Sequence, residues 1–402
     1  MPFRSSAAVR VAILLLALFG ALPVHAADFI DDAERRVSVP DTILRVLPAN
    51  QAAAVLVYVL APDKLLGWNR PIAPAARRFL PARYARLPIL GRLFGPDPAV
   101  TARAVVRWRP DLLVYYGTVT PPHIALAEAI QRRTGVPTIL LNGRIGRSFE
   151  ALYRFGALLG EAARGNTLGL YAEHAIDAIR GTLLIQPPAS RPLVYYGLGF
   201  DGLVTGLDRA VIMADIDQAG AINVAGSLGL VQLTRVTPGD LRFWNPDFII
   251  AQRRSFYDAL LHQRRWRGLA AVRGKRMFLE PTAPFGWISN PPSVNRLIGL
   301  YWLSALFYKG MAQQDLSALV TEFYQTFYNV KLTNRQLAAL LRAAMPPAPP
   351  APAPTAPLSM TPTAPPARVP GLPAIGSLPA LPGAAHLPAG IPNPALVPLP
   401  KP

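Results

Sequence analysis

The sequence predicts an α/β protein of two similar lobes with parallel-type sheets, joined by a long rigid α-helix and followed by a disordered Pro-rich C-terminal tail. Three observations predict it. One unit, a short helix, a Trp-x-Pro-Asp turn and an apolar strand, occurs twice. A helical pattern fills residues 148–185, between the two copies. Composition then changes at Pro346, beyond which the chain is Pro, Ala and Leu with almost no charge.

Taken in order, residues 1–26 read as a signal peptide. Arg4 and Arg10 give a positive start, an apolar run extends from Val11 to about Leu22, and Pro23 breaks it. Val24-His25-Ala26 places small residues where a signal peptidase needs them, and the apolar run is short for a membrane span. The N-terminal α/β lobe is expected over residues 28–147. Ile43–Leu47 is its first candidate strand, and a helix follows from Gln51 to Leu60. The first repeat unit, Val105–Tyr115, carries Trp108-Arg109-Pro110-Asp111 before the apolar run Leu112–Tyr115. Proline disfavours helix at the residue before it, and Asp favours the turn. The continuous apolar run suits a strand covered on both faces, as in a parallel sheet. A polar helix at 121–134 and a strand at Gly135–Leu141 complete a crossover.

The linking segment, 148–185, has Leu152, Phe155, Leu158 and Leu159, then Leu168, Ala175, Ile176, Ile179 and Leu183 at helical spacing. A break at Gly165-Asn166 is expected, with the long helix starting near 167. The C-terminal lobe is expected over 186–345. It opens with the strand Pro192–Gly197 and continues with the second repeat unit, Leu241–Ala251, which carries Trp244-Asn245-Pro246-Asp247. A later strand covers Arg276–Leu279, and a helical segment covers 293–343. Its apolar stretch Leu297–Tyr308 is too short to span a bilayer and reads as a buried helix. Residues 346–402 are expected to be extended or disordered, because proline at this density prevents helix and central strand.

Composition limits the function. The chain holds no cysteine, which excludes disulfides, thiolate metal sites, a cysteine nucleophile and a lipidated cysteine after the leader. A free periplasmic monomer is the expectation. The formal net charge is +18. The arginines are scattered rather than gathered in one run, so the charge points to solubility and an anionic ligand, not to nucleic acid. Of the five histidines, His25 and His386 lie in the leader and the tail. His123, His174 and His262 have no second ligand at metal spacing, so direct metal ligation is not expected. No Gly-x-Ser-x-Gly elbow, phosphate loop or His-Glu-x-x-His occurs. Gly197-Leu198-Gly199-Phe200-Asp201-Gly202 only superficially echoes a dinucleotide-binding glycine pattern.

At this point the residues carry a likeness. The chain resembles the helical-backbone class of periplasmic binding proteins that serve ABC importers of ferric siderophores, haem, cobalamin and other metal chelates. The likeness rests on the two Trp-x-Pro-Asp-strand units and the linking helix. It rests also on Ala219–Ala225, on Val272–Phe278, and on Pro284-Phe285-Gly286-Trp287 followed by Pro291-Pro292-Ser293. It implies a binding protein, not an enzyme. Such a protein captures a metal chelate, ferric siderophore first, between its lobes and delivers it to an ABC permease in the inner membrane, with no resident cofactor. Members often dock through a Glu early in the helix after the first strand. Pro48–Ala53 holds no carboxylate, and Asp201, Asp208 and Asp215 are the nearby acids of the second lobe.

Strand ends define the expected cleft. The candidate ligand-binding residues are Trp68, Arg70, Tyr116, Tyr196, Arg253, Arg254 and Trp287, with Trp287 leading. Aromatic walls and arginine forks suit an anionic chelate. Trp108 and Trp244 are assigned to packing. An exported enzyme and an envelope scaffold remain the rival readings.

Overall fold

The computed structural model describes residues 26–345 apart from 95–99, 188–189, 207–212, 230–232, 309–312 and 343. The residues before Ala26, where a signal peptide is expected, Asp208 and the Pro-rich tail lie outside the described residues. The chain divides into two units, residues 1–347 and 348–402, and everything described belongs to the first.

An antiparallel hairpin, β1 (Ala26–Ile30) and β2 (Arg36–Pro40), precedes the first sheet. The sequence reading did not anticipate it. Its turn caps the sheet edge: the Asp31 carboxylate accepts from Leu140 N–H, and Asp32 accepts from Asn142 N–H. The first lobe then runs through β3 (Val46–Pro48), α1 (Gln51–Leu60), α2 (Ala102–Trp108), β4 (Leu112–Gly117), α3 (Pro121–Thr134) and β5 (Thr138–Asn142). The strands form a parallel sheet in the order β3-β4-β5. The residues before Trp68 form no strand. Leu65 and Trp68 make only isolated bridges, to Val46 and Ile89.

Two helices connect the lobes: α4 (Ser148–Leu158) and α5 (Ala162–Leu184). At 23 residues, α5 is about 35 Å long. The break falls at Leu159–Glu161, not at Gly165-Asn166 as expected. Gly165 sits inside α5, where a Cβ would lie 3.0 Å from the Gly156 Cα and 2.8 Å from the Leu152 carbonyl of α4. The glycine lets two helices touch rather than ending one.

The second lobe holds β6 (Leu193–Gly197), β7 (Val204–Gly206), β8 (Ile222–Asn223), β9 (Leu233–Arg235), α6 (Pro238–Trp244), β10 (Phe248–Ala251), α7 (Arg254–His262) and β11 (Met277–Leu279). Its main sheet is parallel, in the order β11-β10-β6-β8, while β7 and β9 form a small antiparallel pair. The chain ends its described part with α8 (Arg296–Phe307), α9 (Gln313–Tyr328) and α10 (Asn334–Leu341). From Arg296 to Ser304, α8 is wholly buried. Among the described residues no helix is long and apolar enough to cross a membrane.

The repeated unit has the same construction in both lobes. The helix ends on a left-handed residue, Arg109 (φ 48°) or Asn245 (φ 43°), just before the proline. The aspartate that follows does more than favour the turn. Asp111 accepts from the N–H groups of Leu44 and Arg45, each at 2.8 Å, where the chain enters β3. Asp247 accepts from Leu193 N–H at 2.9 Å, at the start of β6. Each carboxylate therefore pins the neighbouring strand in register.

The last segment, expected within the C-terminal lobe of residues 186–345, touches that lobe through Asp215 and Phe248 and also reaches the first lobe and the linker. Ser293 Oγ donates to the Ala52 carbonyl, and the Tyr58 hydroxyl donates to that of Tyr328. Arg164 on α5 bonds the carbonyls of Val59 and Phe327. The C-terminal helices thus fasten the first lobe to the linker and to the second lobe.

Candidate functional site

A cleft of about 1050 Å³ lies where the C-terminal ends of the parallel strands of both lobes converge. Asn50, Gln51 and Ala52 line it at the start of α1, and Tyr116, Gly117 and Thr118 line it at the end of β4. From the second lobe come Phe200 after β6, Gln252 to Ser255 after β10, and Leu279 and Glu280 at β11. This is where an open parallel sheet leaves its backbone ends unoccupied.

Four arginines face this space: Arg70, Arg92, Arg253 and Arg254. Their loops are held by polar side chains. Asn69 donates to the carbonyls of Pro48 (2.8 Å) and Gly91 (2.7 Å), tying the segments that carry Arg70 and Arg92 to β3. Gln51 accepts from the Arg70 N–H at 3.0 Å. Arg70, Arg253 and Arg254 are exposed. Arg253 lies over the Phe200 ring, and Arg254 lies over Tyr257 and reaches Asp258 at 3.9 Å. The N-termini of α1 and α7 also open onto the cleft, and the positive ends of their dipoles add to the field.

One carboxylate, Glu280, lies at the cleft wall, and it is turned inward with 2% exposure. Oε1 accepts from the N–H groups of Ile288 and Ser289 at 2.8 and 2.9 Å. Oε2 accepts from the Tyr196 hydroxyl at 2.5 Å and from Ser289 Oγ at 3.2 Å. Burial raises the Glu280 pKa against the pull of these donors. Its geometry anchors the loop carrying Thr282, Pro284, Phe285 and Asn290, which forms one wall.

Of the seven residues expected to contact ligand, the structure brings Arg70, Tyr116, Arg253 and Arg254 together at the cleft. Tyr116 is fully buried in its floor, and burial pushes the phenol up to about 12, so it stays protonated. Its hydroxyl has no hydrogen-bond partner among the described residues. The other three do not line the cleft. Trp68 is 0% exposed, donates to the Tyr84 carbonyl and packs on Tyr58 and Phe285. Tyr196 is 0% exposed and spends its hydroxyl on Glu280 and Ser289. Trp287, the leading candidate, is 1% exposed, packs edge-on against Trp302 and donates to the Tyr324 hydroxyl at 3.3 Å. A large aromatic in a Pro- and Gly-rich loop looks like a surface wall in sequence. Here the loop folds under the cleft and buries it.

Arg92, Phe200, Gln252 and Glu280 were missed. Phe200 and Gln252 carried a readable signal, since each follows a strand as Arg253 does. The glycine-rich segment around Phe200 was instead compared with a nucleotide motif. His123 is not placed to hold a metal: Nδ1 bonds Thr120 Oγ1 at 2.7 Å, Nε2 faces the Tyr115 hydroxyl at 3.2 Å, and burial lowers its pKa. Among the described residues no group of three or more His, Asp or Glu could hold a metal ion. Two of the nearby acids of the second lobe are also engaged. Asp201 pairs with Arg235, and Asp215 is fully buried against Arg296.

No family model matches the sequence. The chain is 26% identical over 326 residues to the molybdate-binding protein MolA of Haemophilus influenzae, a match covering 74% of this chain and 90% of that protein. It is similar to a solved ABC transporter solute-binding protein from Sulfurospirillum deleyianum, with 26% identity and a TM-score of 0.72, covering 78% of this chain and 99% of the other. Molybdate-bound MolA has the same fold, at 18% identity and a TM-score of 0.62 over 76% of this chain and 99% of its own. In both sequence and fold, then, the relatives of this chain are periplasmic solute-binding proteins of ABC transporters, the helical-backbone class that its repeat units and linking helix resemble.

Proposed function

We propose that the chain is the ligand-capturing component of an ABC importer and that its cargo is an anionic metal chelate, with a ferric siderophore first among the classes. It is exported through a cleaved signal peptide, carries no lipid and acts as a monomer. It hands its cargo to an inner-membrane permease. The observation that carries this reading is the convergence of Arg70, Arg92, Arg253 and Arg254 on one cleft whose wall carboxylate, Glu280, is turned away and satisfied. Guanidinium groups offer fixed charge and paired donors to carboxylate, catecholate or other anionic oxygens. With no clustered metal ligands among the described residues, the metal arrives inside its chelator. The cleft volume, about 1050 Å³, lies just above the roughly 300–1,000 Å³ typical of sites for drug-sized ligands.

A bare oxyanion is the second reading, favoured by the 26% identity to a molybdate-binding protein. The same arginines would serve it, and the cleft volume argues for the larger cargo.

Calorimetric titration of the purified chain decides between them. The panel comprises ferric siderophores, ferric citrate, haem, cobalamin, nickel chelates and molybdate. Saturable binding of an anionic chelate is expected, weakened by Arg253→Ala and by added salt, since exposed charges are screened over about 10 Å at 0.1 M. Binding of molybdate alone would select the second reading. A folded chain that binds no anion would overturn both.

A further inference from the structure

We infer that Phe200 is a specificity-determining residue and that the cargo carries a flat, conjugated ring system bearing its anionic oxygens. This deepens the proposed function and rests on it. Phe200 is 78% exposed, yet it lines the cleft. Leaving a phenyl ring in water at the mouth of a polar cleft forgoes a large apolar burial. The backbone that carries the ring is nevertheless held in place. Ser255 Oγ donates to the Phe200 carbonyl at 2.6 Å, and Gln252 Oε1 accepts from Gly199 N–H at 3.4 Å. The Tyr195 hydroxyl donates to the Gly202 carbonyl at 2.7 Å, and the Asp201 carboxylate accepts from Leu203 N–H at 3.1 Å. Gly199 (φ 77°) and Gly202 (φ 68°) take left-handed conformations that turn the chain sharply on either side. Gly202 also has no room for a side chain, because a Cβ would lie 2.1 Å from the Phe256 ring.

The loop is therefore a pinned support that presents one aromatic ring. The Arg253 guanidinium sits 5.4 Å from the ring centroid. A cation over an aromatic ring is an established attraction, and the ring's open surface remains available to a second flat partner. A conjugated ligand stacked there brings its oxygens beside Arg253 and Arg254, so one contact supplies area and the other charge. An aliphatic chelate or a tetrahedral oxyanion has no flat face to use and gains only the charge. Two sources share the required chemistry: ferric complexes of aromatic catechols and anionic porphyrins.

The test compares the wild-type chain with Phe200→Ala, Phe200→Leu and Phe200→Trp, each checked for folding by circular dichroism. The probes are the ferric complex of 2,3-dihydroxybenzoate, haem, ferric citrate and molybdate. At least one of the two conjugated probes is expected to bind more tightly than ferric citrate, and which one does so identifies the source. Phe200→Ala and Phe200→Leu should weaken that probe roughly tenfold or more, Phe200→Trp should preserve it, and ferric citrate and molybdate should be unaffected. Equal affinity of wild type and Phe200→Ala for the conjugated probes overturns the inference, as does an equal loss for ferric citrate or a failure of both conjugated probes to bind. If anions still bind through Arg253 in those cases, the proposed function survives. If no anion binds, it falls too.

Discussion

Asp215 and Arg296 form an ion pair at 3.2 Å in which both side chains are fully excluded from solvent. Asp215 lies on a short helix of the second lobe, Ala214–Gln218, and Arg296 opens α8. Arg296 also donates to the carbonyl of Gly143, just beyond β5 of the first lobe. One guanidinium thus ties the two lobes behind the cleft. Removing Arg296 leaves the buried Asp215 carboxyl and the Gly143 carbonyl without their donor. Arg296→Ala should cost about 3–5 kcal/mol, read from urea unfolding followed by fluorescence.

The same pair sets a pH dependence. Burial is the larger influence on Asp215 and raises its pKa to about 7, with Arg296 pulling the other way. Unfolded, the group titrates near 3.9. Between those values the folded chain keeps a proton that the unfolded chain has released. The Asp215 contribution therefore favours folding at low pH and is lost as pH rises from about 4 to about 7. Calorimetric Tm measured across this range should show the difference between Asp215→Asn and wild type shifting in favour of the variant as pH rises. A constant difference would contradict the assignment.

Trp287→Ala should behave as a core truncation and not as a ligand-site change. The indole is packed against Trp302 and bonded to Tyr324. A loss of about 3–5 kcal/mol in stability is expected, while the affinity of the folded fraction for an anionic ligand changes little. A large affinity loss at unchanged stability would restore the role expected from sequence.

Much of this fold was legible in the residues. The Trp-x-Pro-Asp units marked both β4 and β10, because a helix stop followed by an apolar run is a local signal. Arg253 and Arg254 were legible for the same reason, since their place follows from where β10 ends. The three buried aromatics were not. Whether Trp68, Tyr196 or Trp287 faces ligand or core depends on which segment lies over it, and that segment is distant in the chain. The Tyr196 partner, Glu280, is 84 residues away, and the Trp287 partner, Tyr324, is 37. The hairpin β1–β2 and the pairing of β7 with β9 rest on strands of three to five residues, too short for a periodic pattern to stand out.

Gly165→Ala tests the helix crossing. The new methyl would meet the Gly156 Cα and the Leu152 carbonyl, both backbone atoms that cannot swing aside. Although alanine is the better helix former, overpacking should dominate and destabilise the chain by about 1–3 kcal/mol, measured by thermal unfolding. A more stable variant would show that α4 and α5 can separate at low cost.

Glu280→Ala and Glu280→Gln should rank in that order of damage. Alanine strands the buried N–H groups of Ile288 and Ser289, each unsatisfied group costing about 1–3 kcal/mol, and leaves Tyr196 and Ser289 only each other and Gln252. Glutamine keeps one carbonyl for Ile288 and Ser289 and turns an amide toward Tyr196 and Ser289, whose hydroxyls can rotate to accept. Urea unfolding of the two variants gives the ranking.

The two aspartate locks also bear on the order in which the chain assembles. Asp111 closes a loop of 66 residues to reach Arg45, and Asp247 closes one of 54 to reach Leu193. The contacts joining the lobes span far more chain: 153 residues from Arg296 to Gly143 and 241 from Ser293 to Ala52. Closure entropy grows with loop length, and long-range contacts wait on the elements they join. Each sheet is thus expected to form on its own lock before the lobes join. The C-terminal helices then clasp two preformed halves in the last step, so a chain truncated before Ser293 should reach both sheets and stall there.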